Sequence, residues 1–271
     1  MVAVACMNPL SAQQEEDQSE NPFVALDWKK GPTTAKVGHV ASQEIKEGCL
    51  FLEAAEARKF LELNQNPSSS SDVGVLMSPS ENWWAAYSYD DIGYVSDDEK
   101  GTLDSDAILA SLKEGIKKGN AERRRRGWSE LTIIGWAQEP HYDELTHNLE
   151  WATKISSKDG LCVNYNTRIL GRGGVMRVTL VCDPDKMSSV LPEFKSALKD
   201  FSYNAGNRYS EYRSGDRTAE IGLSALIVGG ATAAAVKTGA FKWLWKGLVA
   251  VALAIGAFFK KIFGRGKKED Q

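Results

Sequence analysis

What most restricts the folding of this chain is the stretch after residue 220. Two apolar runs, residues 221–236 and 247–259, flank the lysine-bearing stretch 237–246, and the chain closes with Lys260, Lys261, Arg265, Lys267 and Lys268. A hydrocarbon core of ~30 Å takes about 20 apolar residues of helix. Neither run reaches that length alone. Phe241, Trp243, Leu244 and Trp245 extend the second to 241–259, with Lys242 and Lys246 placed to snorkel toward headgroups. The first choice is therefore one transmembrane helix over 241–259, followed by a basic tail, 260–271, on the cytoplasmic side. Residues 216–240 then form a Gly/Ala-rich helix that lies in the interface or packs on the span through Gly229, Gly230 and residues 231–235. The alternatives are a hairpin in which both runs cross, which puts the tail on the far side, and a buried hydrophobic helix of a soluble protein, which the flanking lysines and tryptophans suit less well.

The opposite end is consistent with this. Residues 1–12 (MVAVACMNPLSA) are apolar and end in small residues, and an acidic run, 13–20, follows at once. This is the pattern of the back half of a secretory signal peptide without its positive n-region, so the true start is expected upstream of Met1. Cys6 sits in a poor lipoprotein context. Residues 13–22 read as a polar, disordered lead. Charge is also divided. Residues 221–271 carry eight basic against two acidic side chains, net +6; the whole chain is −3, so everything before Ile221 carries −9. Nucleic-acid affinity rests on phosphate neutralisation, which an acidic domain opposes. The basic end suits anionic lipid instead.

Residues 23–215 are long enough for one domain of ordinary size. Residues 54–63 read as a helix. The clearest helix starts after Asp104, an N-cap, and runs to about Arg126, with Ile108, Leu109, Leu112 and Ile116 on one face. Arg123–Arg126 fall in its last turn, where cations complement the helix dipole. Two hairpins follow, one around 144–148 and one around Gly171–Gly174. Asp183-Pro184 then reads as a helix start, and Pro192 as a kink or restart in the helix after it. This order gives an α+β fold: an antiparallel sheet packed by helices on one face, followed by the C-terminal helical membrane anchor.

Several motifs in fixed order carry a resemblance. They are Gly93-Tyr94-Val95 with residues 97–100, Gly135-Trp136 through Pro140-His141-Tyr142-Asp143, Leu149-Glu150-Trp151-Ala152, Asn164-Tyr165-Asn166, and residues 168–175. Together they resemble a bacterial family of predicted membrane-anchored proteins, catalogued as domain of unknown function 2167. The resemblance implies an exported domain tethered to an envelope membrane: bulk of the chain periplasmic, basic C-terminus cytoplasmic, anchored in the inner membrane. It brings no activity, cofactor or catalytic residue.

The second hairpin permits a register calculation. With Arg172-Gly173 as a two-residue turn, Val163, Tyr165, Thr167 and Ile169 share a face with Met176, Val178, Leu180 and Cys182. Cys162, Asn164, Asn166, Arg168, Arg177 and Thr179 share the other. Cys182 is then in the core and Cys162 on the polar face, so the two are not expected to be bridged. Arg168 stands opposite Arg177, a like-charge pair that needs a carboxylate or an anion between them; an acid from 97–99 is the expected neutraliser. The candidate binding face is therefore Asn164, Asn166, Arg168 and Arg177. A second polar cluster, His141, Tyr142 and Asp143, offers acid–base chemistry, but with His147 it makes no recognised metal-ligand spacing, and no metal or cofactor is expected. Two function classes remain. One is a non-enzymatic binding module anchored in the bilayer, whose partner is a membrane protein, a second copy or a small ligand. The other is a hydrolase or transferase that joins the 141–143 hairpin to the Arg168/Arg177 face, which requires those side chains to converge in one concavity.

Overall fold

The computed structural model describes residues 22–80 and 82–229. The expected leader 1–12, the span 241–259 and the tail 260–271 lie outside the described residues. In chain order the elements are β1 (Lys29–Lys30), β2 (Thr33–Val37), β3 (Ala41–Ile45), β4 (Leu50–Glu53), α1 (Ala54–Leu63), β5 (Asp72–Met77), β6 (Trp83–Asp90), α2 (Ser105–Arg125), β7 (Thr132–Asp143), β8 (Asn148–Ser157), β9 (Gly160–Leu170), β10 (Val175–Cys182), α3 (Met187–Leu198), β11 (Phe201–Tyr203) and α4 (Leu223–Val228).

An eight-stranded antiparallel sheet runs β1-β4-β5-β6-β10-β9-β8-β7, and a three-stranded sheet runs β11-β3-β2. The large sheet is two meanders. One comes from the first half of the chain and one from the second, and they join along the β6–β10 seam from Val175↔Asp90 to Cys182↔Trp83. The fold is α+β, but helices are not confined to one face. Alternate strand residues such as Val75, Trp84, Trp151 and Cys162 pack under α1, α2 and α4; the intervening residues, such as Tyr87, Tyr165 and Met176, pack under α3 and the small sheet. Sequence patterning missed the second cover because β2, β3 and β11 are short and half polar, and their apolar residues show no helical period.

Local chemistry explains the element ends. Asp104 caps α2 by accepting from the Ala107 N–H at 3.0 Å. The four arginines at its end are all engaged. Arg123 is buried, donating to the Ser129 and Gln65 carbonyls. Arg124 pairs with Glu130, Arg125 with Glu122, and Arg126 with Glu122 and Glu62. Helix α3 begins at Met187, three residues later than the Asp183-Pro184 pattern suggests, because residues 183–186 form a turn in which the Lys186 N–H donates to the Asp183 carbonyl. It continues through Pro192 without a break.

After β11 the chain straps back across the molecule. Tyr94 is stacked between Tyr209 and Tyr212, ring centroids 4.6 and 3.9 Å away. Tyr94 pairs with Thr218 in a parallel bridge, and Arg172 grips Asp216 with two bonds of 2.7 Å. The strap ends in α4, and Leu223, Ala225, Leu226, Ile227 and Val228 are all buried. The first apolar run of the C-terminal segment thus begins inside the domain core. Among the described residues no helix is long and apolar enough to cross a membrane.

Candidate functional site

The register of the β9–β10 hairpin is the one read from the sequence: Ile169 faces Met176, Thr167 faces Val178, and Arg168 faces Arg177. Cys182 is a free, buried thiol and therefore unbridged to Cys162; burial and then Asp183 push it up to about 12. The face carrying Asn164, Asn166, Arg168 and Arg177 is not a solvent-facing polar surface, however. The two asparagines and Arg168 are buried, as is Cys162, because α2 and α4 cover this side of the sheet. The neutralising acid also differs. Arg177 pairs with Asp90 at 2.9 Å, its neighbour across the seam, and the 97–99 loop serves elsewhere.

Arg168 is left in a distinctive state. It makes no ion pair among the described residues. Its guanidinium lies 4.5 Å from the Trp151 ring centre, and it donates to the Thr167 carbonyl at 3.3 Å and to the Leu226 carbonyl at 3.4 Å. Burial first, and then Arg177, push it down to about 9. Leu226 is in the last turn of α4, where the helix dipole presents negative charge, so the buried cation caps that end. The other end is held by Glu99, whose carboxylate accepts from the Ser224 N–H at 3.3 Å. Glu99 approaches so closely that a Cβ at Gly222 would meet its Oε1 at 2.3 Å. A six-residue helix with no side-chain cap of its own is thus gripped at both ends by charges from the sheet and the 97–100 loop.

The second predicted cluster is divided by the sheet. Tyr142 lies opposite Leu149, on the helix-covered face. Its hydroxyl is 3.1 Å from His147 Nδ1, and burial, with Asp97 second, raises its pKa. His141 and Asp143 point to the other face, across from Glu150 and Asn148. Both nitrogens of His141 are in use: Nδ1 meets the Gln138 amide nitrogen at 3.0 Å and Nε2 meets Glu150 Oε2 at 3.2 Å. With the amide donating to Nδ1, the ring proton sits on Nε2 toward the carboxylate, and no lone pair remains to take a proton from a substrate. Among the described residues no group of His, Cys, Asp and Glu is placed to hold a metal ion.

Sequence reasoning missed Glu150. It sits in a β-strand between Leu149 and Trp151, where a carboxylate reads as a solvent-facing residue, yet its side chain is only 5 % exposed. Tyr165 donates to its Oε2 at 2.7 Å and Lys195 at 2.9 Å, which ties α3 to the sheet. Burial, then Glu150, raise the Tyr165 pKa. These groups border a cleft of about 310 Å³ lined by Asp143, Asn148, Glu150, Lys195, Leu198, Lys199 and Phe201, among others. The alternation Glu150–Ala152–Lys154 against Leu149–Trp151–Thr153 was the available signal, since it places Glu150 beside the core tyrosine.

A family model described as a protein of unknown function (DUF2167) matches residues 29–259. No curated protein matches. Among solved structures the chain is similar to cyanobacterial PsbP (CyanoP) from Synechocystis sp. PCC 6803, 11% identical with a TM-score of 0.39, over 66% of this chain and 92% of that one. The Saccharomyces cerevisiae Ran-binding protein Mog1p is 10% identical with a TM-score of 0.32, over 68% of this chain and 100% of that one.

Proposed function

Since the chain belongs to that family of unknown function, we propose that it is a non-enzymatic binding module, tethered to a bacterial inner membrane by 241–259, with its folded domain periplasmic and 260–271 cytoplasmic. The observation that carries the non-enzymatic reading is the division of the polar clusters. Tyr142, Arg168 and Arg177 lie on one face of the sheet and His141 and Asp143 on the other. The hydrolase or transferase alternative needed them in one concavity. The tether reading draws on the length and flanks of the apolar run. It is supported by the burial of α4, through which the domain grips the start of the C-terminal segment.

On this reading the face formed by Asn164, Asn166, Arg168 and Arg177 acts inward. It docks the chain's own C-terminal segment at α4 and so sets how the domain is presented to a membrane-protein partner or a second copy. The test is a mild-detergent purification of the full chain, wild type beside Arg168→Ala/Arg177→Ala, after an alkaline wash of the membranes. The expected result is retention in the washed membrane and a stoichiometric partner that the double variant loses. A chain released by the wash overturns the tether, and a wild type that purifies alone as a monomer overturns the partner-binding role.

A further inference from the structure

The cleft on the face away from α4 carries hydrogen-bond acceptors that the protein does not fill. The amide oxygen of Asn148 is buried and has no hydrogen-bond partner among the described residues. Protein donors to Glu150 all converge on Oε2: Tyr165 at 2.7 Å, Lys195 at 2.9 Å and His141 at 3.2 Å, which leaves Oε1. Asp143 receives the N–H groups of Leu145 and Thr146 on Oδ1 at 2.9 and 3.3 Å, and its carboxylate also takes a side-chain hydrogen bond from Thr146 at the mouth of the cleft. Because Asp143, Asn148 and Glu150 are neighbours on the β7–β8 ladder and line the same concavity, the Asn148 amide oxygen, Glu150 Oε1 and the Asp143 carboxylate belong to one small site. A buried acceptor with no donor is a cost that native folds rarely carry without a use.

The chemistry that answers such a floor is a group with several N–H donors. An ammonium has three and no acceptor. The charges of the lining decide what else the ligand carries. Asp143 and Glu150 are balanced by Lys195 and Lys199, so the site as a whole is neutral and a simple dication or dianion is mismatched. Lys195 is already bonded to Glu150, whereas Lys199 is exposed at the rim. Leu198 and Phe201 supply an apolar wall. The volume, about 310 Å³, is at the small end of ligand sites, which run from roughly 300 to 1,000 Å³.

We propose that this cleft binds a free amino acid or a close relative. Its ammonium sits on Glu150 and Asp143 and on the Asn148 amide oxygen, which turns out of its buried position to meet it; its carboxylate lies toward Lys199, and its side chain lies along Leu198 and Phe201. The assignment rests on the binding-module reading and gives it a ligand class. The binding is non-covalent, and both rings and amines of the site stay as they are.

The test uses the full chain in detergent and calorimetric titration with each common amino acid. For the best binder, the matching amino-acid amide and the deaminated carboxylic acid are titrated alongside. Saturable binding is expected, with each analogue weaker by about tenfold or more. Asn148→Ala is expected to abolish binding without lowering the melting temperature, since it removes an acceptor that makes no bond. Asn148→Asp is expected to turn preference toward the amide, because the floor gains a negative charge. No binding by any amino acid at about 10 mM, or equal binding of the deaminated acid, overturns the assignment. So does an Asn148→Ala protein that folds and binds as before. These outcomes leave the membrane and partner result standing, because the cleft takes no part in that assay. Turnover of a bound amino acid would instead overturn the non-enzymatic reading while keeping the site.

Discussion

The two faces of the large sheet treat polar groups in opposite ways. Under α1, α2 and α4 the surplus is of donors: the indole N–H groups of Trp84, Trp136 and Trp151 are buried without an acceptor, and Arg168 has only two long bonds to carbonyls. At the β7–β8 end of the other face the described residues leave an acceptor instead, the Asn148 amide oxygen, beside an open cleft that Glu150 also lines. The first face is sealed by the chain's own helix, and the buried Arg168, which makes no ion pair among the described residues, is turned to holding that helix down. The second is left uncovered beyond α3. A polar group inside a fold thus has two distinct uses, closing the molecule or receiving something, and cover by the chain's own elements separates them.

The sharpest way to break this contrast is Trp151→Ala. It empties a fully buried site and removes the shelf beneath Arg168, and a loss of about 3–5 kcal/mol is expected in urea unfolding. If Leu198→Ala at the rim of the cleft costs as much, the faces do not differ as described. Next is Tyr165→Phe. Glu150 keeps Lys195 and His141, so the expected loss is about 1–2 kcal/mol, with proteins that lack this hydroxyl still able to close α3 on the sheet. Arg168→Met comes third. An unpaired buried charge replaced by a similar apolar shape is close to neutral, so global stability should stay within about 1 kcal/mol of wild type. Hydrogen exchange at the amides of Ala225 and Gly229 should nevertheless accelerate as α4 loosens. A large global loss would mean that Arg168 carries the core and not the helix.

The smallest effect concerns acid. Arg172, then the Arg213 N–H, hold Asp216 down to about 2, against an ordinary value of 3.8. The folded state therefore binds the proton less readily than the unfolded one. Its contribution is whole above pH 3.8 and is lost as pH falls through about 2. Near-ultraviolet circular dichroism of the Tyr94, Tyr209 and Tyr212 stack should report the strap loosening in that window, and Asp216→Asn should flatten the change.

Much of this was readable in the sequence where a single local rule governs. Asp104 as a cap, the 3–4 spacing of Ile108 and Leu112, and the turn at Arg172-Gly173 fix α2 and the β9–β10 register through neighbours in the chain. What could not be read depends on cover from afar. Whether Arg168 is exposed is decided by α4, nearly sixty residues later, and its alternation with apolar residues is the same either way. The choice of Asp90 over the 97–99 acids is set by the β6–β10 pairing, which no turn announces. Glu150 was hidden for the same reason, since its partner Lys195 arrives on α3.

That β6–β10 seam also orders events in time. Strands β5 and β6 follow one another closely, with β4 before them across α1, and β7, β8, β9 and β10 follow one another closely, so each set is able to assemble from nearby chain as it emerges. The seam between Trp83–Asp90 and Val175–Cys182 waits until the second set is complete, and its long loop closure is the slow step. Until then β6 presents a bare edge rich in Trp, Ala and Tyr, the kind of template that pairs with another chain. During synthesis, a chaperone that protects this edge would act after the first meander forms and before β10 arrives.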